Sequence, residues 1–122
     1  MMQMLRVMIV DDEELAVQRL EMILSGIDDV EIGLASMNPQ EAYDYARTHP
    51  VHLAFLDIAM PKINGLRLST LLLELNPSIS VVFVTGFDNY AIQAFDLNAL
   101  DYLMKPVTLQ RMLKTLDKAR KR

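Results

Sequence analysis

The sequence predicts an α/β fold: five parallel strands, each followed by a helix, in a doubly wound three-layer sandwich of (βα)5 type. Three observations predict it. Five short apolar runs, most of them rich in β-branched residues, alternate with segments that carry apolar side chains at helical spacing. The runs are almost continuously hydrophobic, as strands covered on both faces are, and such strands pair in parallel through helical crossovers. Four of the runs lead into polar residues, Asp11-Asp12, Asp57, Thr85 and Lys105, at the strand ends where such sheets bind ligands.

Leu5 to Val10 reads as the first strand, and Asp11-Asp12 ends it. A helix follows with Leu15, Ala16, Leu20, Ile23 and Leu24 on its apolar stripe. Val30 to Ala35 is the second strand. Asn38-Pro39 then supplies an N-cap and a first-turn proline, with Glu41 in the capping-box position, and the helix runs to about His49 before Pro50. Val51 to Leu56 is the third strand. The loop through Pro61 and Gly65 leads into a helix with Leu68, Leu71, Leu72 and Leu75, ended by Asn76-Pro77. Ile79 to Val84 is the fourth and most hydrophobic strand, closed by Thr85-Gly86. A helix near Asn89 to Leu97, a strand from Leu100 to Met104 and a last helix with Leu109, Met112, Leu113 and Leu116 complete the series.

Length and composition bound the function. A chain of 122 residues makes one domain with a core of its own, and 52% apolar residues suffice to fill it. The absence of cysteine removes disulfides, thiol chemistry and thiolate metal sites, and fits a reducing, cytoplasmic compartment. A net charge of −4 argues against a nucleic-acid surface on this domain. The basic tail Lys118, Arg120, Lys121, Arg122 reads as a solvated last helical turn. No stretch approaches the roughly 20 apolar residues of a membrane span, and Met1-Met2-Gln3-Met4 lacks the basic start of a signal peptide.

The strand-end residues make a chemically coherent set. Carboxylates at Asp11, Asp12 and Asp57 repel one another, and a hard divalent cation such as Mg²⁺ relieves that repulsion through oxygen ligands. Lys105 adds a compact positive charge for a phosphate, and Thr85 a hydroxyl donor. An aspartate in such a site serves as a phosphoryl acceptor. Taken alone, Asp12 reads as a helix cap or near-cap and Lys105 as a solvated lysine; together the residues point to an anion site with a nucleophile in it. Met8 and Met112 read as core, Met60 as loop packing, and His49 and His52 as surface or edge histidines. Phe83, Phe87 and Phe95 also suit a core, whereas Tyr102, on an edge strand, suits a phenol half in water.

The ordered set Val10-Asp11-Asp12-Glu13, Leu56-Asp57-Ile58-Ala59-Met60-Pro61 with Gly65, Val84-Thr85-Gly86 and Asp101-Tyr102-Leu103-Met104-Lys105-Pro106 resembles the response-regulator receiver domains of two-component signalling. The resemblance covers nearly the whole chain. Tyr90-Ala91, Ala94-Phe95 and Asn98 to Tyr102 look most like receivers that precede a LytTR-type DNA-binding domain. It implies the flavodoxin-like strand order 2-1-3-4-5. It implies that Asp57 is the phosphoacceptor and that Mg²⁺ is bound by Asp12, Asp57 and the backbone carbonyl of Ala59, with Asp11 acting through water. It further implies that Lys105 and Thr85 contact the phosphoryl group, that Tyr102 moves inward on loading, and that Pro106 follows a cis bond. The implied partners are a sensor histidine kinase and a second copy, paired through the last helix–strand–helix face. The implied output is transcription through a DNA-binding effector domain not contained in residues 1–122, which read as a single receiver domain.

Other classes fit less well. A haloacid-dehalogenase-like phosphohydrolase needs an acid/base aspartate two residues after the nucleophile, where this chain has Ala59. A flavodoxin-like cofactor binder would show a Ser/Thr/Gly-rich loop after the first strand. A phosphate-independent interaction module would not need Asp12, Asp57, Thr85 and Lys105 together. The reading is therefore a switch that catalyses at most its own aspartyl phosphorylation and dephosphorylation. It departs from the family at Gly86, where alanine is usual and where glycine loosens the loop.

Overall fold

The computed structural model describes residues 3–86 and 91–122. Its elements are β1 (Leu5–Val10), α1 (Glu14–Ser25), β2 (Val30–Ser36), α2 (Pro39–Thr48), β3 (Leu53–Leu56), α3 (Gly65–Leu75), β4 (Ser80–Thr85), α4 (Ala91–Asp96), β5 (Asp101–Met104) and α5 (Leu109–Arg120). Each predicted element is present, with ends within about two residues of the sequence reading. The expected onset of the fourth helix at Asn89 lies outside the described residues, together with Phe87, Tyr90 and the side chain of Phe95.

The sheet is parallel throughout, in the order β2-β1-β3-β4-β5. Alternation along each strand divides the core into two layers. Val7, Ile9, Leu53, Phe55, Val82, Val84 and Leu103 face α1 and α5 through Val17, Leu20, Leu24, Met112 and Leu116. Met8, Val10, Ala54, Leu56, Val81 and Phe83 face the other way, against Ala42 of α2, Leu68 and Leu72 of α3, and Ala94 of α4. A fully buried leucine such as Leu24 or Leu72 stabilises the fold by about 1.5–3 kcal/mol. Met8 and Met112 are core residues, and Met60 packs in its loop, as read from the sequence.

Two expectations need correction. Leu15 is 79% exposed, and the buried stripe of α1 is Val17, Leu20 and Leu24. Leu109 and Leu113 likewise stand 53% and 42% exposed, because α5 turns only Met112, Thr115 and Leu116 inward. Helical spacing places residues on one side of a cylinder but does not say how wide the covered stripe is. The second correction concerns Glu41. Asn38 caps α2 by accepting from the Gln40 N–H at 2.9 Å, but its own N–H is taken by Ser36 Oγ at 3.0 Å, so no capping-box return is needed from Glu41. The basic tail Lys118, Arg120, Lys121 and Arg122 is exposed, as read from the sequence, and also makes ion pairs. Arg120 reaches Asp29 with two bonds of 2.6 Å, and Lys118 Nζ lies 3.2 Å from Asp101. The last turn of α5 is thus tied to the α1–β2 connection and to β5.

Candidate functional site

Strand register places the acidic residues. In the β1–β3 pair Val10 lies opposite Leu56, and the Asp57 N–H donates to the Val10 carbonyl at 2.9 Å. Asp11 and Asp57 therefore leave the sheet side by side. Asp11 and Asp57 are 1% and 4% exposed, while Asp12 is exposed. One carboxylate oxygen from each lies within 4.8 Å of the others. Asp12 is a near-cap, directly before the N-cap of α1, Glu13, whose side chain makes no capping bond and whose N–H donates to Asp11 Oδ1 at 2.9 Å.

The other side of the cleft comes from β4 and β5. Thr85 is fully buried at the end of β4, and its carbonyl accepts from the Lys105 N–H at 2.9 Å. The Lys105–Pro106 peptide is cis. Lys105 Nζ donates to Glu13 Oε1 at 2.6 Å and lies 2.8 Å from Asp11 Oδ2 and 3.6 Å from Asp57 Oδ2. The approach to Asp11 is close but off hydrogen-bond geometry, so Oδ2 remains a buried oxygen without a hydrogen bond among the described residues. Tyr102 is half-buried on the edge strand and packs against the α2–α3–α4 side of the core.

Electrostatics follow from crowding. Burial first, and then the charge of Asp11, push the Asp57 carboxyl up from 3.8 to about 6; Lys105 opposes this and Asp12 adds to it. Burial works against the Lys105 charge, but the Asp11 and Glu13 carboxylates outweigh it and hold the ammonium above its ordinary range. The donor set is all oxygen, is largely buried and carries excess negative charge. That fits a hard divalent cation such as Mg²⁺, which takes oxygen ligands and keeps several waters. It is the acidic triad characteristic of receiver-domain Mg²⁺ sites.

The acceptor loop is packed tightly. The Gly65 N–H donates to the Ile58 carbonyl at 3.0 Å, and Asn64 caps α3 by accepting from the Arg67 N–H at 2.8 Å. The Ala59 backbone bonds to the Asp57 carboxyl, which puts that residue beside the acceptor. Pro61 turns the loop and its carbonyl accepts from the Ile63 N–H at 2.8 Å. At Gly86, a Cβ would meet nothing within 4 Å among the described residues.

Sequence reasoning missed two contacts. Glu13 enters the sequence pattern only as the last residue of the Val10–Glu13 motif, yet it is the nearest partner of Lys105. Asp101 accepts from Arg111 at 2.7 and 2.9 Å and from the Thr115 hydroxyl at 2.7 Å, binding β5 to α5. The spacing of Arg111, Thr115 and Lys118 on one helix face was the available signal for the second. His49 stacks on Tyr45 and His52 accepts from the Arg6 N–H at 2.9 Å, both away from the cleft.

Comparison with known proteins agrees with this geometry. The response regulator receiver domain family matches residues 7–117. Transcriptional regulatory protein BtsR of Salmonella typhi is 45% identical over 118 residues, which cover 96% of this chain and 48% of that protein. Sensory transduction protein LytT of Bacillus anthracis is 36% identical over 118 residues, covering 97% and 48%. The chain thus spans about half the length of the curated relatives it matches. The crystal structure of the response regulatory domain of protein mrkE from Klebsiella pneumoniae superposes with a TM-score of 0.87 at 29% identity, covering 95% of each chain. No helix among the described residues is long and apolar enough to cross a membrane. With the sheet order, the acidic triad and the relatives in agreement, this chain belongs to the response-regulator receiver domains, the phospho-accepting modules of two-component systems.

Proposed function

We propose that Asp57 is the phosphoacceptor and that its loading is read on the face formed by α4, β5 and α5. One observation carries this: the Asp11, Asp12 and Asp57 oxygens converge within 4.8 Å, with the Lys105 ammonium 3.6 Å from Asp57. Asp12, Asp57 and the Ala59 carbonyl would hold Mg²⁺, with Asp11 acting through water. When bound, the cation compensates the charge that otherwise repels an anionic phosphoryl group. An Asp57 oxygen forms the new P–O bond as the P–N bond of a kinase phosphohistidine breaks, and the leaving imidazole takes up a proton. Lys105 and the Thr85 hydroxyl hold phosphoryl oxygens. As Thr85 turns to the phosphate, Tyr102 moves inward, and the surface around it changes. Gly65 and Pro61 keep the acceptor loop in place.

The residues present form a single receiver domain. Its relatives' doubled length and their names support an attached effector, in our reading a LytTR-type DNA-binding domain in a cytoplasmic regulator. Exposed Met104, Leu109 and Leu113 support a two-fold homodimer through β5 and α5. Sedimentation with and without beryllofluoride tests that pairing, which an unchanged mass would refute. The central reading is tested by mass spectrometry after incubation with acetyl phosphate and Mg²⁺. One adduct of about +80 Da, labile to hydroxylamine, is expected on the wild type and none on Asp57→Asn. A persistent adduct on the variant places the chemistry elsewhere.

A further inference from the structure

Lys105 is shared among carboxylates unequally. It sits 2.6 Å from Glu13 Oε1, 2.8 Å from Asp11 Oδ2 and 3.6 Å from Asp57 Oδ2. Glu13 is 65% exposed on its side chain, at the N-cap of α1 on the rim of the cleft, whereas the Lys105 side chain is only 20% exposed. The ammonium is thus held between the buried Asp11 and a rim carboxylate, Glu13, that is not one of the three converging aspartates, and stands off from Asp57. We propose that Glu13 is a positioning residue, a latch that holds Lys105 on the rim and must release it before Lys105 can engage an anion on Asp57. This rests on the reading of Asp57 as acceptor and goes beyond it by naming what the anion competes with.

The physics is a competition for one ammonium. A dianionic phosphoryl group outbids a single exposed carboxylate, so the latch does not prevent loading. It lowers the net gain by the strength of the Lys105–Glu13 pair. An exposed pair of this kind is worth a few tenths to about one kcal/mol, which is a factor of roughly 1.5 to 5 in affinity. Glu14, the next residue, bears the same charge but bonds to Gln18 Nε2 at 3.4 Å and makes no pair with Lys105 among the described residues. It supplies a control for the general field of α1.

The test is a beryllofluoride titration at saturating Mg²⁺, followed by NMR, on wild type, Glu13→Gln and Glu14→Gln. Glu13→Gln should bind the mimic about 1.5- to 5-fold more tightly, and Glu14→Gln as the wild type does. The Lys105 ¹⁵Nζ resonance, observed before beryllofluoride is added, should move in Glu13→Gln and stay in place in Glu14→Gln. Unchanged or weaker binding by Glu13→Gln, an equal gain in both variants, or an unmoved ammonium resonance would overturn the latch. Failure of wild type itself to bind beryllofluoride would instead overturn the reading of Asp57.

Discussion

Replacing Asp57 with asparagine should stabilise the metal-free protein, by an amount that depends on pH in a defined direction. Burial and the charge of Asp11 raise the Asp57 carboxyl from 3.8 to about 6 in the folded chain. At 1.36 kcal/mol per tenfold change, that difference corresponds to about 3 kcal/mol. The sign follows from proton linkage. Below about pH 4 the carboxyl is neutral in folded and unfolded chains alike and costs nothing. Between about pH 4 and 6 the unfolded chain gives up the proton first, so stability falls as pH rises. Above about pH 6 the full cost stands. Asparagine keeps the shape and removes the charge. In EDTA, wild type and Asp57→Asn should therefore differ little at about pH 4 and by about 3 kcal/mol at about pH 7.5, or about 10 °C in melting temperature for a domain of this size. Millimolar Mg²⁺ should close much of the gap by restoring wild type alone. The reasoning fails if the difference is the same at both pH values, or if wild type is the more stable protein at neutral pH without metal.

Three further outcomes are expected. Wild type should melt higher with millimolar Mg²⁺, whereas Asp12→Ala should lose most of that gain and melt above metal-free wild type; identical wild-type melts with and without Mg²⁺ would remove the cation site. Asp101→Asn should cost about 2 kcal/mol in urea unfolding at neutral pH, less than a fully buried pair because Arg111 and Lys118 are 38% and 52% exposed. Burial of Asp101 is outweighed by Arg111, Thr115, Tyr102 N–H and Lys118, which hold the carboxyl well below its ordinary value of 3.8, so this cost should stand at neutral pH and shrink progressively as pH falls below about 4. Gly65→Ala should lower both stability and phosphoryl gain.

Much of this was legible in the sequence because strands covered on both faces write themselves as unbroken apolar runs. Val81 to Val84 is hydrophobic at every position because Val82 and Val84 face α1 and α5 while Val81 and Phe83 face the opposite layer. The ligand end of the sheet was legible for a related reason: polar residues that stop such runs have few places to go except the carboxyl ends of the strands. What the sequence did not show is pairing at a distance. Lys105 and Glu13 are separated by 92 positions, and nothing in the local pattern prefers Glu13 over Glu14 as the partner of the lysine. The side of a helix that stays wet was similarly hidden. Leu15 and Leu20 both belong to the apolar pattern of α1, but only Leu20 lies beneath a neighbouring element.

Gly65 separates local preference from packing most sharply. It opens α3, and its φ is not in the left-handed region, so helix propensity alone favours alanine there by roughly 0.5–1 kcal/mol. Space decides otherwise. A Cβ at Gly65 would stand 2.1 Å from the Asp57 carbonyl oxygen, 2.8 Å from its carbonyl carbon and 3.0 Å from Ile58 Cα. All three are backbone atoms, so no side chain can swing aside, and the Gly65–Ile58 hydrogen bond ties the two segments together. Relief requires α3 and the acceptor loop to separate by about 1 Å. Overpacking of that kind costs about 1–3 kcal/mol, more than propensity returns. The same displacement moves Asp57 away from Asp11 and Lys105, and a misplacement of about 1 Å at a reacting group slows transfer by tenfold or more. Gly65→Ala should therefore lower the urea midpoint without changing the slope and gain phosphate from acetyl phosphate at least about tenfold more slowly. Gly86→Ala, where a Cβ meets nothing within 4 Å among the described residues, should be neutral or slightly stabilising. A Gly65→Ala protein as stable as wild type and loaded at the same rate would show that the loop yields freely, and that the acceptor is not held in place by the close approach of Gly65.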